Sequence, residues 1–404
     1  MSFLPLAETR VLDLTSSLAG PYCTQILAAF GADVVKIEHP ARGDETRAWG
    51  PPFWDGEGAI FLAANAGKRS LGLDFHAPAG KGVLLRLADR ADVVVQSLRP
   101  GLAERIGFGP DELRTRNPRL VYCSIGAFGR VGPRGSHAGY DPLMQAIGGI
   151  ISVTGEADRP GVRVGVSMID QSTGMWAALG IVAALWERER TGEGRVVDVS
   201  LYETVLGLVG YHLVGYLGSG HVPGRHGTAF PLIAPYEAFV ALDGELMVLA
   251  ANDRLFAALC SVLERPDVAA EPRFRTNPDR VANREALVAL LAERFATQTV
   301  ATWVERLDEA GVPAAPVHDI AQVVDDEQTR ALDVLEPLDH PTVRNLRTPA
   351  LPLSLDGRRP SYDSAPPLLG EHSAAVLREL AYSDAEVEAL VAAGVVTLGN
   401  PPAR

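Results

Sequence analysis

Cysteine is scarce in this 404-residue chain: Cys23, Cys123 and Cys260 stand far apart, with no C-x-x-C pair. An odd, dispersed set argues against a disulfide framework and a zinc site, and fits a reducing compartment. A basic tract is missing too. Acids outnumber bases 50 to 37, the net charge is −13, and the two signs are interspersed. Nothing there tracks a phosphate backbone, so no nucleic-acid partner is expected. The excess acid reads as solubility. Long apolar runs are also lacking. The longest, Met175 to Trp186, has 12 residues, where a bilayer span needs roughly 20. The opening MSFLPLAETRVLDLTSS has no basic segment followed by an apolar run. A soluble, cytoplasmic protein without a membrane partner is the expectation. No internal repeat or low-complexity segment stands out.

What is present is the composition of a globular protein, 47% hydrophobic and 22% charged, long enough for two domains or one with an insertion. The first 130 residues alternate short β-branched runs with amphipathic stretches. TRVLDLT, ADVVKIEHP, RSLGLDF, DVVVQSL and RLVYCSIGAF read as strands. Helices fall between them over PYCTQILAAF, AGKGVLLRLADRA and PDELRTRN, with Gly31 closing the first. That alternation predicts an α/β fold with a large, Rossmann-like, doubly wound parallel sheet. A long helix from Met168 to Glu189 precedes the strand RVVDVSL, and YEAFVAL-DG-ELMVLA is a hairpin signal. The expected division is a large α/β domain over 1–221, a smaller α+β domain over 222–325, and a return to the large domain over 326–404.

The first strand–turn–helix unit looks like a dinucleotide-binding start, and Glu38 ends its second strand where an acid could bind a ribose hydroxyl. The turn, however, is TSSLAGPY and has no G-x-G-x-x-G, so a nicotinamide cofactor is not expected. The glycine-rich GAFGRVGPRGSHAGYDP (126–142) fits a ligand cradle and a surface loop equally well. Its His137 has no second histidine or carboxylate at ligand spacing, so no metal site is expected. Arg99 and Arg105 follow a strand end, where α/β ligands bind. Taken locally they read as solvated or capping rather than phosphate-binding. Asp170, in DQSTGMWAALG, is a good N-cap for the helix behind it, and local sequence favours that role. Gly174 points the other way, since alanine would suit a helix better by about 1 kcal/mol. A substrate lying against the helix start would explain it. Free N–H groups there would suit an oxyanion.

These motifs together resemble family III CoA-transferases, the CaiB/BaiF group, which includes formyl-CoA:oxalate CoA-transferase and has α-methylacyl-CoA racemase as a relative. The resemblance runs through VLDLTSSLAGPYCTQILAAFGADVVKIEHPARGDETR, NAGKRSLGLD, SLRPG, NPRLVYCSIGAFG, AGYDPLMQAIGG, DQSTGMWAALGIVAALWERERTGEGRVVDVSLYE, APYEAFVALDGELMVLAAND and PLLGEH. It implies that Asp170 is a nucleophile that forms a mixed anhydride and then an enzyme–CoA thioester. No permanently bound cofactor is needed, and coenzyme A enters as the acyl-CoA substrate with a small carboxylic acid as partner. The CoA-contacting segments carry over to Leu18, Ala19, His39, Leu73, Asp74, Phe75, His76, Ser97, Leu98, Arg99, Arg105, Ala138, Gly139, Tyr140 and Asp141. With the resemblance, Arg99 and Arg105 favour phosphate. The resemblance also implies an interlocked homodimer.

Several positions depart from the family pattern. Leu18 replaces a glutamine and His39 an arginine of formyl-CoA transferase, and Asp141 stands for its glutamate. Phe230 stands where a histidine is common and Thr228 where asparagine is common, and the glycine run of oxalate enzymes is missing. Dicarboxylates and related acids are expected rather than oxalate. Leu18, His39 and Phe230 motivate a non-catalytic CoA-binding alternative. A racemase alternative needs a histidine thirty residues before the aspartate, and Tyr140 stands there. Tyrosine, with a pKa of about 10, is a poor base at neutral pH. His137 would need a loop shift to substitute.

Overall fold

A computed structural model describes residues 4–399. Among them its larger unit comprises 4–150, 164–217 and 330–399. In it run β1 (Arg10–Leu14), α1 (Ala19–Ala29), β2 (Asp33–Glu38), β3 (Lys68–Leu73), β4 (Val93–Gln96), β5 (Val121–Gly126), α2 (Asp141–Ile147), α3 (Met168–Thr191), β6 (Val196–Ser200) and β7 (Val396–Thr397). The strands lie in the order β7-β3-β2-β1-β4-β5-β6. All pairings among β1 to β6 are parallel, and β7 joins β3 antiparallel through Val396–Leu73. The expected mixed α/β fold with a large, mostly parallel sheet is what forms.

Alternate strand residues supply two separate cores. Val11, Val93, Val95, Val121 and Cys123 face α1 and α3. Leu12, Val94 and Tyr122 face the other side, where Val83, Leu84, Val376 and Leu377 cover them. Each such valine or leucine removed from water contributes about 1.5–3 kcal/mol. Parallel strands buried on both faces account for the unbroken apolar runs of the sequence.

The helix α3 extends two residues past its expected end, to Thr191, before Gly192 closes it with φ +75°. Among the described residues it is the one helix long and apolar enough to cross a membrane by composition. In this fold its inner side, Ile169, Ala177, Ala178 and Ile181, is core. Gly174 has a structural cause that differs from the expected one. A Cβ there would sit 2.6 Å from the Ala19 carbonyl oxygen and 3.2 Å from the Cys23 nitrogen. The neighbour that requires glycine is the α1 backbone rather than a substrate.

The smaller unit comprises 151–163 and 218–329. Residues 151–163 therefore group apart from the large domain in which the sequence reading set them. Hydrogen bonds explain why: the Gly227 amide donates to Gly155 (2.9 Å), and the Arg225 guanidinium donates to the Glu156 and Ala157 carbonyls. The hairpin Tyr236–Val240/Glu245–Leu249 forms as expected, and Ala314–Pro316 adds a third antiparallel strand. Thr228 accepts the Ala238 amide (3.0 Å), and Phe230 packs on Tyr236.

Candidate active site

Beyond their β3-β2-β1-β4-β5-β6 order, doubly wound sheets have a switch point between β1 and β4, and ligands bind outside the carboxyl ends of the strands there. A cavity of about 870 Å³ opens at that place. Ser16 and Ser17 follow β1, His39 follows β2, Ser97 to Arg99 follow β4, and Ala127 follows β5. Ala138 to Tyr140 and Asp170 complete the wall.

The turn after β1 is built unlike a pyrophosphate loop. Its Thr15 amide donates to Asp13 (2.8 Å), its Ser16 amide to the Ser97 hydroxyl (3.2 Å), and its Ser17 amide to Asp44 (3.3 Å). Donors that a dinucleotide-binding turn leaves free are thus occupied by side-chain oxygens. Glu38 is occupied as well. It is buried and takes Arg47 through two bonds (2.8 and 2.9 Å), the Ser70 hydroxyl (2.6 Å) and the Asp44 amide (2.9 Å). The acid that could have bound a ribose instead anchors the 39–49 loop.

Beneath that loop is a fully buried charge cluster. Lys36 pairs with Asp44 at 2.8 Å and Lys68 with Asp13 at 3.2 Å. Burial opposes the charge on Asp13. The facing Lys68 and Lys36, with hydroxyls from Thr15 and Thr24, outweigh it and hold the carboxyl at about 2. Burial lowers Lys68 to about 8 despite Asp13.

Asp170 lies in the first turn of α3 rather than before it, so it is not the N-cap. Ser167 holds that position and makes no side-chain cap bond. The cap comes from another helix. The buried Asp141, at the start of α2, accepts the amides of Ile169 (2.8 Å) and Asp170 (3.3 Å) on one carboxylate oxygen. Gln145 donates to the other oxygen at 2.6 Å. Two of the N–H groups expected to be free for an oxyanion are therefore consumed. Four carboxylates line the cavity: Glu38, Asp44, Glu45 and Asp170. Arg47 engages the first, Lys36 the second and Ser17 the third. Among the described residues no protein group donates to the Asp170 carboxylate. Burial chiefly, and the Asp141 charge secondly, push its pKa up to about 7.

Of the positions expected to contact CoA, Ala19, His39, Phe75, Ser97, Leu98, Arg99, Ala138, Gly139 and Tyr140 line this cavity with Asp170. Leu18, Leu73, Asp74, His76, Arg105 and Asp141 do not. Leu73 pairs with β7, and Asp74 accepts the His76 amide (3.0 Å). Sequence reasoning missed Arg42, Trp49, Ser17 and Glu45, which also line it. Arg42 carried a usable signal, a cation just past a strand's carboxyl end like Arg99. Trp49 and Tyr140 meet with ring centres 6.5 Å apart. His137 lines the cavity too, edge-on to Phe128 at 6.2 Å.

Comparison with known proteins gives the family. The profile of CoA-transferase family III matches residues 6–373. Succinyl-CoA:glutarate CoA-transferase of Mus musculus is 36% identical over 98% of this chain and 91% of its own. Acetyl-CoA:oxalate CoA-transferase of Acetobacter aceti is 37% identical over 95% and 97%. A CaiB/BaiF family protein from Brucella suis superposes with a TM-score of 0.85 at 38% identity, over 93% of this chain and 99% of that one. The parallel sheet, the cavity at its switch point and these whole-length similarities together make this chain a member of CoA-transferase family III, a transferase of acyl-CoA chemistry.

Proposed function

We propose that the chain moves CoA from a donor acyl-CoA to an acceptor carboxylic acid through covalent intermediates on Asp170. One observation carries this reading: Asp170 is the cavity carboxylate left unengaged by cations and hydroxyls. A carboxylate Oδ attacks the thioester carbonyl carbon, the C–S bond breaks, and CoA leaves as thiolate, giving a mixed anhydride between Asp170 and the donor acid. The thiolate then attacks the Asp170 carbonyl, releasing the donor as its carboxylate and forming an Asp170–CoA thioester. An acceptor carboxylate repeats both steps in reverse, so thioester energy is kept rather than lost to water. A carboxyl titrating at about 7 is more nucleophilic than an exposed one, and about half ionised at neutral pH.

Arg42 and Arg99 line the cavity and are assigned to CoA phosphates, with His39, whose Nδ1 accepts the Ala41 amide (3.1 Å), beside them as a hydrogen-bonding side chain. The donor is assigned to the succinyl-CoA class and the acceptor to dicarboxylates of succinate to glutarate size, by analogy with the relatives' names. In this reading the active unit is a homodimer. Support comes from the outer side of α3, where Met175, Trp176, Leu179 and Trp186 are 48–64% exposed, an apolar stripe a monomer would leave in water.

The test is a transfer assay with succinyl-CoA against glutarate, oxalate and aromatic acids, beside binding of CoA. Turnover with glutarate that disappears in Asp170→Ala while CoA affinity stays within about threefold supports the reading. Absence of turnover with every acid in the wild type would leave a CoA-binding protein. His137 in the same cavity favours a second reading, racemisation at the α-carbon. Solvent deuterium entering 2-methylacyl-CoA without acid exchange would establish it in place of transfer.

A further inference from the structure

Seven non-glycine residues among those described have a positive φ, and only Ser17, at +66°, also lines the cavity. Left-handed backbone costs a side-chain-bearing residue of order 1–3 kcal/mol and persists where its surroundings over-determine it. Here they do. The Ser17 amide donates to Asp44 at 3.3 Å, and its hydroxyl donates to Glu45. Asp44 is itself fixed, by Lys36 at 2.8 Å and by Glu38, which takes its amide at 2.9 Å. Lys36 further donates to the Thr15 carbonyl at 2.9 Å, so both sides of the turn share one anchor.

The turn leads directly into the reacting region. Leu18 follows Ser17 as the cap residue of α1, and the Tyr22 amide donates back to its carbonyl (2.8 Å). Next comes Ala19, which lines the cavity and whose carbonyl oxygen faces Gly174 of α3, one turn past Asp170. The angle at which the chain leaves Ser17 therefore sets where the first turn of α1 lies against the Asp170 segment.

We propose that Asp44 and Glu45 act as a clamp that holds Ser17 left-handed, and that Ser17 and Glu45 are positioning residues for acyl transfer at Asp170. The inference rests on the assignment of Asp170 made above. The clamp acts through backbone geometry, so it affects the chemical step more than ligand affinity.

The alanine–glycine contrast at position 17 isolates conformation, because both remove the hydroxyl and only glycine adopts positive φ freely. With turnover and CoA binding measured on the full chain, Ser17→Ala is expected to lower kcat about fivefold or more. Ser17→Gly is expected to stay within about twofold of wild type, and CoA Kd to change less than about threefold in both. Glu45→Ala, an exposed position suited to a folded variant, should lower kcat like Ser17→Ala and add nothing in the Ser17→Gly background. Equal kcat for the Ala and Gly variants overturns the clamp. So does a Glu45→Ala variant that shifts Kd with kcat unchanged, which would make Glu45 a ligand contact. Failure of the Asp170 assignment reads differently: no covalent adduct in the wild type, whatever stands at position 17.

Discussion

At the scale of single residues, the proposed chemistry turns on two carboxylates with opposite surroundings. Asp141 is buried and saturated with donors, and Asp170 is held beside it without any. Burial and the Asp141 charge raise the Asp170 pKa, so its carboxylate, the nucleophile of the proposed mechanism, gains as pH rises through about 7. Replacing Asp141 with asparagine removes the smaller of those two causes and keeps an oxygen for the Ile169 amide. The acid limb of kcat/KM against pH is therefore expected to move to lower pH by several tenths of a unit, without being abolished. An unchanged limb would mean that the two carboxylates are not coupled. Asp170 was legible in the sequence as a charge at a helix start. Its true cap was not, because Asp141 lies 29 residues upstream and local patterns report only neighbours along the chain.

At the scale of elements, α1 and α3 cross with backbone against backbone, and Gly174 makes the crossing possible. Helix propensity predicts that Gly174→Ala stabilises by about 1 kcal/mol. The packing predicts the reverse, since a methyl 2.6 Å from the Ala19 carbonyl forces the helices apart. Denaturant titration is expected to show a loss of about 1–3 kcal/mol, together with reduced turnover. A stabilised variant would show that the crossing is loose. Strands and helices of the first 130 residues were readable because period-2 and period-3.6 apolar patterns survive in a sheet covered on both faces. Pairing partners outside that pattern were not. Glu38 reads as a free acid in sequence and turns out to be saturated by Arg47 and Ser70.

At the scale of the whole molecule, the cavity at the β1/β4 switch point follows from strand order alone, and most of the expected CoA-contacting positions line it. The smaller unit was less legible. Residues 151–163 join it through backbone carbonyls, and carbonyls leave no trace in residue identity. The proposed dimer predicts that light scattering gives twice the chain mass of 43.0 kDa. Trp176→Glu with Trp186→Glu should then shift the population toward monomer, as charges on a desolvated face do. A wild-type monomer at micromolar concentration would remove the dimer. The central claim is covalent chemistry at Asp170, and peptide mass spectrometry after succinyl-CoA treatment with hydroxylamine or borohydride trapping tests it most directly. The prediction is a modified Asp170 peptide, absent without acyl-CoA and absent in Asp170→Ala. An unmodified Asp170 in an enzyme that still turns over would contradict it.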